Sequence, residues 1–127
     1  MGGHLLKGYI ENTGIYDAPF ITTALNRLLE NKHINLTWDI GHDHSSGFAD
    51  QAFLEKNIKR IQHFHVHDAI GKSNHLTLFE GEIDIEYFLT LSKQNEATVV
   101  FETKTIEALK ESISRLKVRG EIPLWHA

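Results

Sequence analysis

Glu11, Asp39, His65 and Glu102 each stand at the carboxyl end of an apolar, strand-like run, and together they offer three carboxylates and one imidazole. Donors of this kind are hard to borderline ligands, suited to Mn²⁺, Mg²⁺, Co²⁺ or Zn²⁺ with positions left open for a substrate. Without a cation, three carboxylates converging on one point would repel one another. A single acid at a strand end is as readily a solvated group or a helix cap; the recurrence of a metal-competent residue at four strand ends, three acids and one histidine, points to a shared ion. The chain has no cysteine, so thiolate ligation and a disulfide framework are excluded, and a metal must rest on imidazole and carboxylate. The nine histidines are scattered, not a tag. His63, His65 and His67 alternate within one run; His63 and His67 read as histidines hydrogen-bonded inside the fold, and His4, His33 and His44 as surface residues.

Positioning the four candidate ligands takes four strand-like runs that alternate with stretches of helical periodicity, the pattern of βα units and a parallel sheet. The first run is Leu6 to Glu11, followed by Asp17 as an N-cap, Pro19 in the first turn and a helix with Ile21, Leu25 and Leu28 on one face. The second is Ile34 to Ile40, then a loop containing glycine and serine, then a helix capped by Asp50. Gln62 to Asp68 forms the third, followed by a polar loop over 69–83 and a helix opened by Asp84. Thr98 to Glu102 is the fourth, leading to a helix capped by Thr105 and ended by Gly120 and Pro123.

Successive side chains of a strand point to opposite faces, so parity within each run sorts residues by face. Glu11 goes with Tyr9, Asp39 with Thr37 and Asn35, His65 with His63 and His67, and Glu102 with Val100 and Thr98. The opposite face carries Ile10, Leu36, Trp38, Phe64, Val66, Val99 and Phe101, and suits packing beneath helices. The mixed face becomes polar toward each carboxyl end, the edge at which parallel β/α folds assemble their sites.

The segments Glu11-Asn-Thr-Gly14, Trp38-Asp-Ile-Gly-His42, His63-Phe-His-Val-His-Asp68, His75 with Glu80-Gly-Glu-Ile-Asp84, and Val99-Val-Phe-Glu-Thr103 resemble, in order, the last four strands of the xylose-isomerase-like (β/α)8 barrel superfamily. That group includes sugar and sugar-phosphate isomerases and epimerases and endonuclease-four-type AP endonucleases. The resemblance covers roughly residues 7–117 and implies an α/β fold of four parallel βα units, the second half of a TIM barrel, as a single domain over residues 1–127. Residues 1–4, Met-Gly-Gly-His, read as disordered or as a remnant of cloning. The likeness implies that Glu11, Asp39, His65 and Glu102 bind a divalent metal, and that Glu11 and Glu102 also work as an acid/base pair. It makes His42 and His75 substrate-binding residues and Asp68 a carboxylate that steadies the site. The implied activity is isomerisation or epimerisation of a sugar or sugar phosphate by metal-assisted proton transfer. AP-endonuclease-like phosphodiester hydrolysis and an inactive half-barrel remnant are the alternatives.

The formal charge of −4 and pI near 6.1 provide no field for nucleic acid, and Lys72 and Lys104 read as solvated. No apolar run nears the ~20 residues that span a bilayer, and the start lacks a signal-peptide core, so the expected location is the cytoplasm. At 127 residues the chain is about half the ~250 of a closed barrel. A half-barrel exposes two unpaired edges and an open interior, so the expected partner is a second copy or a complementing half-barrel.

Overall fold

In the computed structural model, which describes residues 6–121, the elements run in chain order as β1 (Gly8–Glu11), α1 (Pro19–Leu28), β2 (Ile34–Asp39), α2 (Ile40–Ser45), α3 (Gln51–Lys56), a 3₁₀ turn (Ile58–Arg60), β3 (Ile61–Val66), β4 (Asp68–Ile70), β5 (Ser73–Leu76), α4 (Ile85–Gln94), β6 (Thr98–Phe101) and α5 (Ile106–Val118). β1, β2, β3 and β6 form one parallel sheet in that order. Among the described residues the outer edges of β1 and β6 have no strand beside them. The architecture is the expected one: α/β, with a four-stranded parallel sheet that is part of a barrel.

Register follows parity. Trp38 pairs with Phe64, Phe64 with Val99 and Val66 with Phe101 on one face; Asp39 pairs with His65 and His65 with Val100 on the other. The first set is the core: Leu36, Trp38, Phe64, Val66, Leu54, Ile61, Ile85 and Leu116 are buried beneath the helices. Trp38 lies edge-on to Phe88 of α4 with ring centroids 5.1 Å apart. On the inner face Tyr9 and Val100 remain 49% and 44% exposed, which marks that face as open.

Several elements differ from expectation. β3 ends at Val66, two residues before the end of the run, and Glu102 lies one residue beyond β6, its N–H donating to Val66 O at 3.0 Å. The polar loop contains a hairpin: β4 pairs antiparallel with β5 across Gly71-Lys72, with Gly71 at φ +54, the left-handed conformation that two-residue hairpin turns demand. The glycine- and serine-containing loop after β2 is partly helix, as α2, because Asp39 accepts from His42 N–H and caps it. Asp17 does not cap α1; Ala18 stands at that position without a side-chain bond, and Pro19 supplies the helical φ. Asp50 precedes α3 but turns its carboxylate to Gly14 N and Tyr16 N, at 2.7 and 2.9 Å. Asp84 and Thr105 cap as expected, accepting from Tyr87 N and Ala108 N. His44 and His33 are partly buried, not surface residues, and His44 contacts Glu82 at 2.9 Å. Pro123 and residues 1–4 lie outside the described residues. No helix among the described residues is long and apolar enough to cross a membrane.

Asp43 of α2 is buried, accepting from Trp38 Nε1 at 3.2 Å and Asp50 N at 3.3 Å. Burial, reinforced by the nearby Asp50 carboxylate, pushes its carboxyl up to about 6. The folded state therefore favours the protonated acid, so this contribution to stability is full below the unfolded value near 4 and is lost as pH rises through about 6. Wild type should gain about 2 kcal/mol relative to Asp43→Asn between about pH 7.5 and 4.5. Urea unfolding of both proteins at the two pH values checks this; a pH-independent difference would refute it.

Candidate functional site

Asp39, the last residue of β2, is held through both backbone and side chain. Asn12, fully buried just beyond β1, accepts from Asp39 N at 2.7 Å and donates from Nδ2 to Asp39 O at 3.1 Å. Asp39 Oδ1 accepts from His42 N at 2.9 Å and meets His67 Nε2 at 2.7 Å. The other oxygen, Oδ2, faces His65 Nδ1 at 3.7 Å.

His65 is the cross-strand partner of Asp39, and its Nδ1 has three carboxylates around it. Besides Asp39 Oδ2, Glu11 Oε1 lies at 3.6 Å and Glu102 Oε1 at 3.2 Å. Donor atoms of Glu11, Asp39 and His65 all fall within 4.8 Å of one another. Three of the four residues named from strand ends thus form one donor group on the inner face, and Glu102 joins it through His65 while its donors group with His67 and His75. Side-chain exposure separates them: 4% for Asp39, 21% for His65, 43% for Glu11 and 36% for Glu102. Two carboxylates reach solvent and one does not. Glu11 also borders a cavity of about 440 Å³ floored by Tyr9, Thr37, His63, His65 and Thr98.

The electrostatics divide the acids further. Burial raises the Glu11 carboxyl above its ordinary value, and the Asp39 and Glu102 charges add to this against the opposing pull of His65. For Asp39 burial also pushes upward, but the hydrogen bonds from His67 and His42 N, with their charges, outweigh it and hold the carboxyl below the usual range. The two acids are thus shifted in opposite directions, Asp39 toward the anion and Glu11 toward the protonated acid.

The residues expected to touch substrate stand at the rim. His42 is exposed on α2, and His75 is half-buried in β5, with ring centroids 6.3 Å apart. His75 adopts φ +57, uncommon for a residue with a side chain. It is pinned there: its N–H donates to His67 Nδ1 at 2.8 Å, its carbonyl accepts from Lys104 N at 3.2 Å, and its ring stacks on His67 at 4.1 Å. Burial, followed by the neighbouring His67, lowers the tendency of His75 to protonate. Lys72 and Lys104 are exposed.

His67, His75 and Glu102 also offer donors within 4.8 Å of one another. Chemistry argues against a second cation there, because both ring nitrogens of buried His67 are already bonded. Asp68 is buried too, accepting from Ala69, Gly81 and Ile83 N–H groups. It fastens the 81–83 segment to β4, and these hydrogen bonds go to none of the candidate ligands. Asn12 is the supporting residue that sequence reasoning passed over; its one signal is its place directly after Glu11.

A family model described as a xylose isomerase-like TIM barrel matches residues 6–119. No curated protein and no solved structure matched the chain.

Proposed function

The chain belongs to the xylose isomerase-like TIM barrel family, and from that premise we propose that it is a divalent-metal-dependent isomerase or epimerase acting on a sugar or sugar phosphate. The observation that carries this reading is the spacing of His65 Nδ1 from three carboxylate oxygens, 3.2 to 3.7 Å. Ligand atoms about 2.0–2.2 Å from one small cation, at octahedral or tetrahedral angles, stand roughly 3.0–3.5 Å apart; the Glu102 contact falls within that range and those of Glu11 and Asp39 lie just beyond it. The donor set fits a hard or borderline divalent ion, held by Glu11, Asp39, His65 and Glu102. When bound, such an ion supplies Lewis-acid stabilisation of negative charge on adjacent substrate oxygens.

The protein's own residues account for the remainder. Glu11 ends β1 and Glu102 follows β6, so the two solvent-reaching acids belong to the opposite margins of the sheet. One would remove a proton from the carbon beside a carbonyl; the other would return it, to the opposite face for epimerisation or to the neighbouring carbon for isomerisation. The raised pKa of Glu11 brings it closer to the working pH of a general acid or base. His42 and His75, on the rim, would contact substrate hydroxyls. A further set of strands, from elsewhere in the same protein or from a second copy, would cover the open inner face.

Mn²⁺ at about a hundred times its dissociation constant should stabilise the protein by about 2.7 kcal/mol, raising Tm by roughly 10 °C. Chelation with EDTA should reverse the shift. Thermal melts that do not move with Mn²⁺, Mg²⁺, Co²⁺ or Zn²⁺ would remove the basis for metal-dependent chemistry.

A further inference from the structure

We propose that His67 is a positioning residue that couples Asp39 to His75, acting through a single imidazole tautomer. The inference rests on the reading of Asp39 as a metal ligand. His67 is fully buried, with one ring nitrogen on each of two functional elements. Nδ1 receives the backbone N–H of His75 at 2.8 Å, so it must present a lone pair. The ring proton therefore sits on Nε2 and is donated to Asp39 Oδ1 at 2.7 Å. The opposite tautomer would set two protons against each other on the hairpin side and two lone pairs against each other on the carboxylate side.

The ring also has nowhere else to go. One face stacks on His75 with the planes 5° from parallel. The ring lies so close to Gly41 that a Cβ there would come within 1.9 Å of Cε1. Asp39 Oδ1 takes both the His67 proton and the His42 N–H, which leaves Oδ2 as the oxygen turned to His65. The same imidazole thus selects which Asp39 oxygen is offered to the cation side and fixes the height of His75 at the rim. Each ring nitrogen holds one of the two elements, so the two bonds can be removed one at a time.

Two amide substitutions separate the halves of this coupling. Gln at 67 places an N–H donor where Nε2 was but no acceptor at Nδ1; Asn places an oxygen acceptor where Nδ1 was but no donor at Nε2. For His67→Gln the expected result is Mn²⁺ affinity within about threefold of wild type and rapid hydrogen exchange of the His75 amide. His67→Asn should give the reverse, a protected His75 amide and Mn²⁺ affinity lowered about 10–100-fold. Calorimetric titration and amide-exchange NMR read the two quantities, and urea unfolding verifies that each variant folds. Gln and Asn variants with the same losses in both readouts, or with neither, would overturn the proposal.

Long-range ¹H–¹⁵N correlation on the metal-free wild type supplies the second arm. A proton on Nε2 supports the coupling, and a proton on Nδ1 overturns it even if no variant folds. Should wild type bind no Mn²⁺, the metal reading fails on its own. The tautomer and the His75 amide in His67→Gln would then still decide whether His67 couples the two elements.

Discussion

Glu11→Gln and Glu102→Gln should each lower solvent-proton exchange into a reactive ketose by about 10²–10⁴-fold, the usual contribution of a positioned acid or base. Both side chains reach solvent, and each Oε1 lies within 3.6 Å of His65 Nδ1, so both can meet a bound substrate. Glutamine preserves the side-chain volume and one oxygen donor while removing the group that carries the proton. Exchange should consequently fall much further than Mn²⁺ affinity does, and the gap between the two separates acid/base work from simple loss of a ligand. Incubation of a ketose panel in deuterium oxide with Mn²⁺, read by mass spectrometry, measures the rate; calorimetry measures the affinity. Exchange within about threefold of wild type in both variants would remove these residues from the chemistry.

Gly41→Ala should cost the fold about 3 kcal/mol or more, combining overpacking with the loss of buried hydrogen bonds. An added Cβ would meet the His67 ring at 1.9 Å from Cε1, 2.1 Å from Nδ1 and 2.6 Å from Nε2. The ring is fully buried, bonded at both nitrogens and stacked on His75, so it yields only by breaking something. In an unobstructed helix the same substitution is favourable by about 1 kcal/mol, which makes the sign of the effect diagnostic. Urea midpoints of the two proteins measure it. An alanine variant as stable as wild type would show that the ring does not occupy that space. Because His67 also holds Asp39, Mn²⁺ affinity should decline alongside stability.

Much of this was legible from residue types and parity. The side-chain period of a strand is two, so Asn35, Thr37 and Asp39 had to share a face, as did Leu36 and Trp38 on the other; the register carries Asp39 beside His65. The caps at Asp84 and Thr105 were equally visible, since a short polar side chain before an apolar periodic run has one obvious use. Asp17 and Asp50 show the limit of that rule. At α1 the proline starts the helix unaided, and at α3 the Asp50 carboxylate is engaged by Gly14 and Tyr16 across a gap of more than thirty residues.

α2 and the β4–β5 hairpin were hidden for a related reason. Six residues containing glycine, serine and two histidines carry no helical period, and α2 forms because Asp39 caps it and Ile40 is buried. The hairpin is tied down by His67, directly before it, and by Asp68, its first residue, which act through neighbours eight to fifteen residues away. His63 and His67 were expected as hydrogen-bonded histidines, and both are, with Thr98 and with Asp39 respectively. That Gly41 leaves the space His67 needs is visible only once β2 and β3 are side by side.

Anomalous diffraction from crystals grown with Mn²⁺ most directly tests whether these four residues share one cation. The expected result is a single peak about 2.0–2.4 Å from carboxylate oxygens of Glu11, Asp39 and Glu102 and from His65 Nδ1. A Mn²⁺ peak elsewhere on the protein, or none at this point in saturating metal, would contradict it.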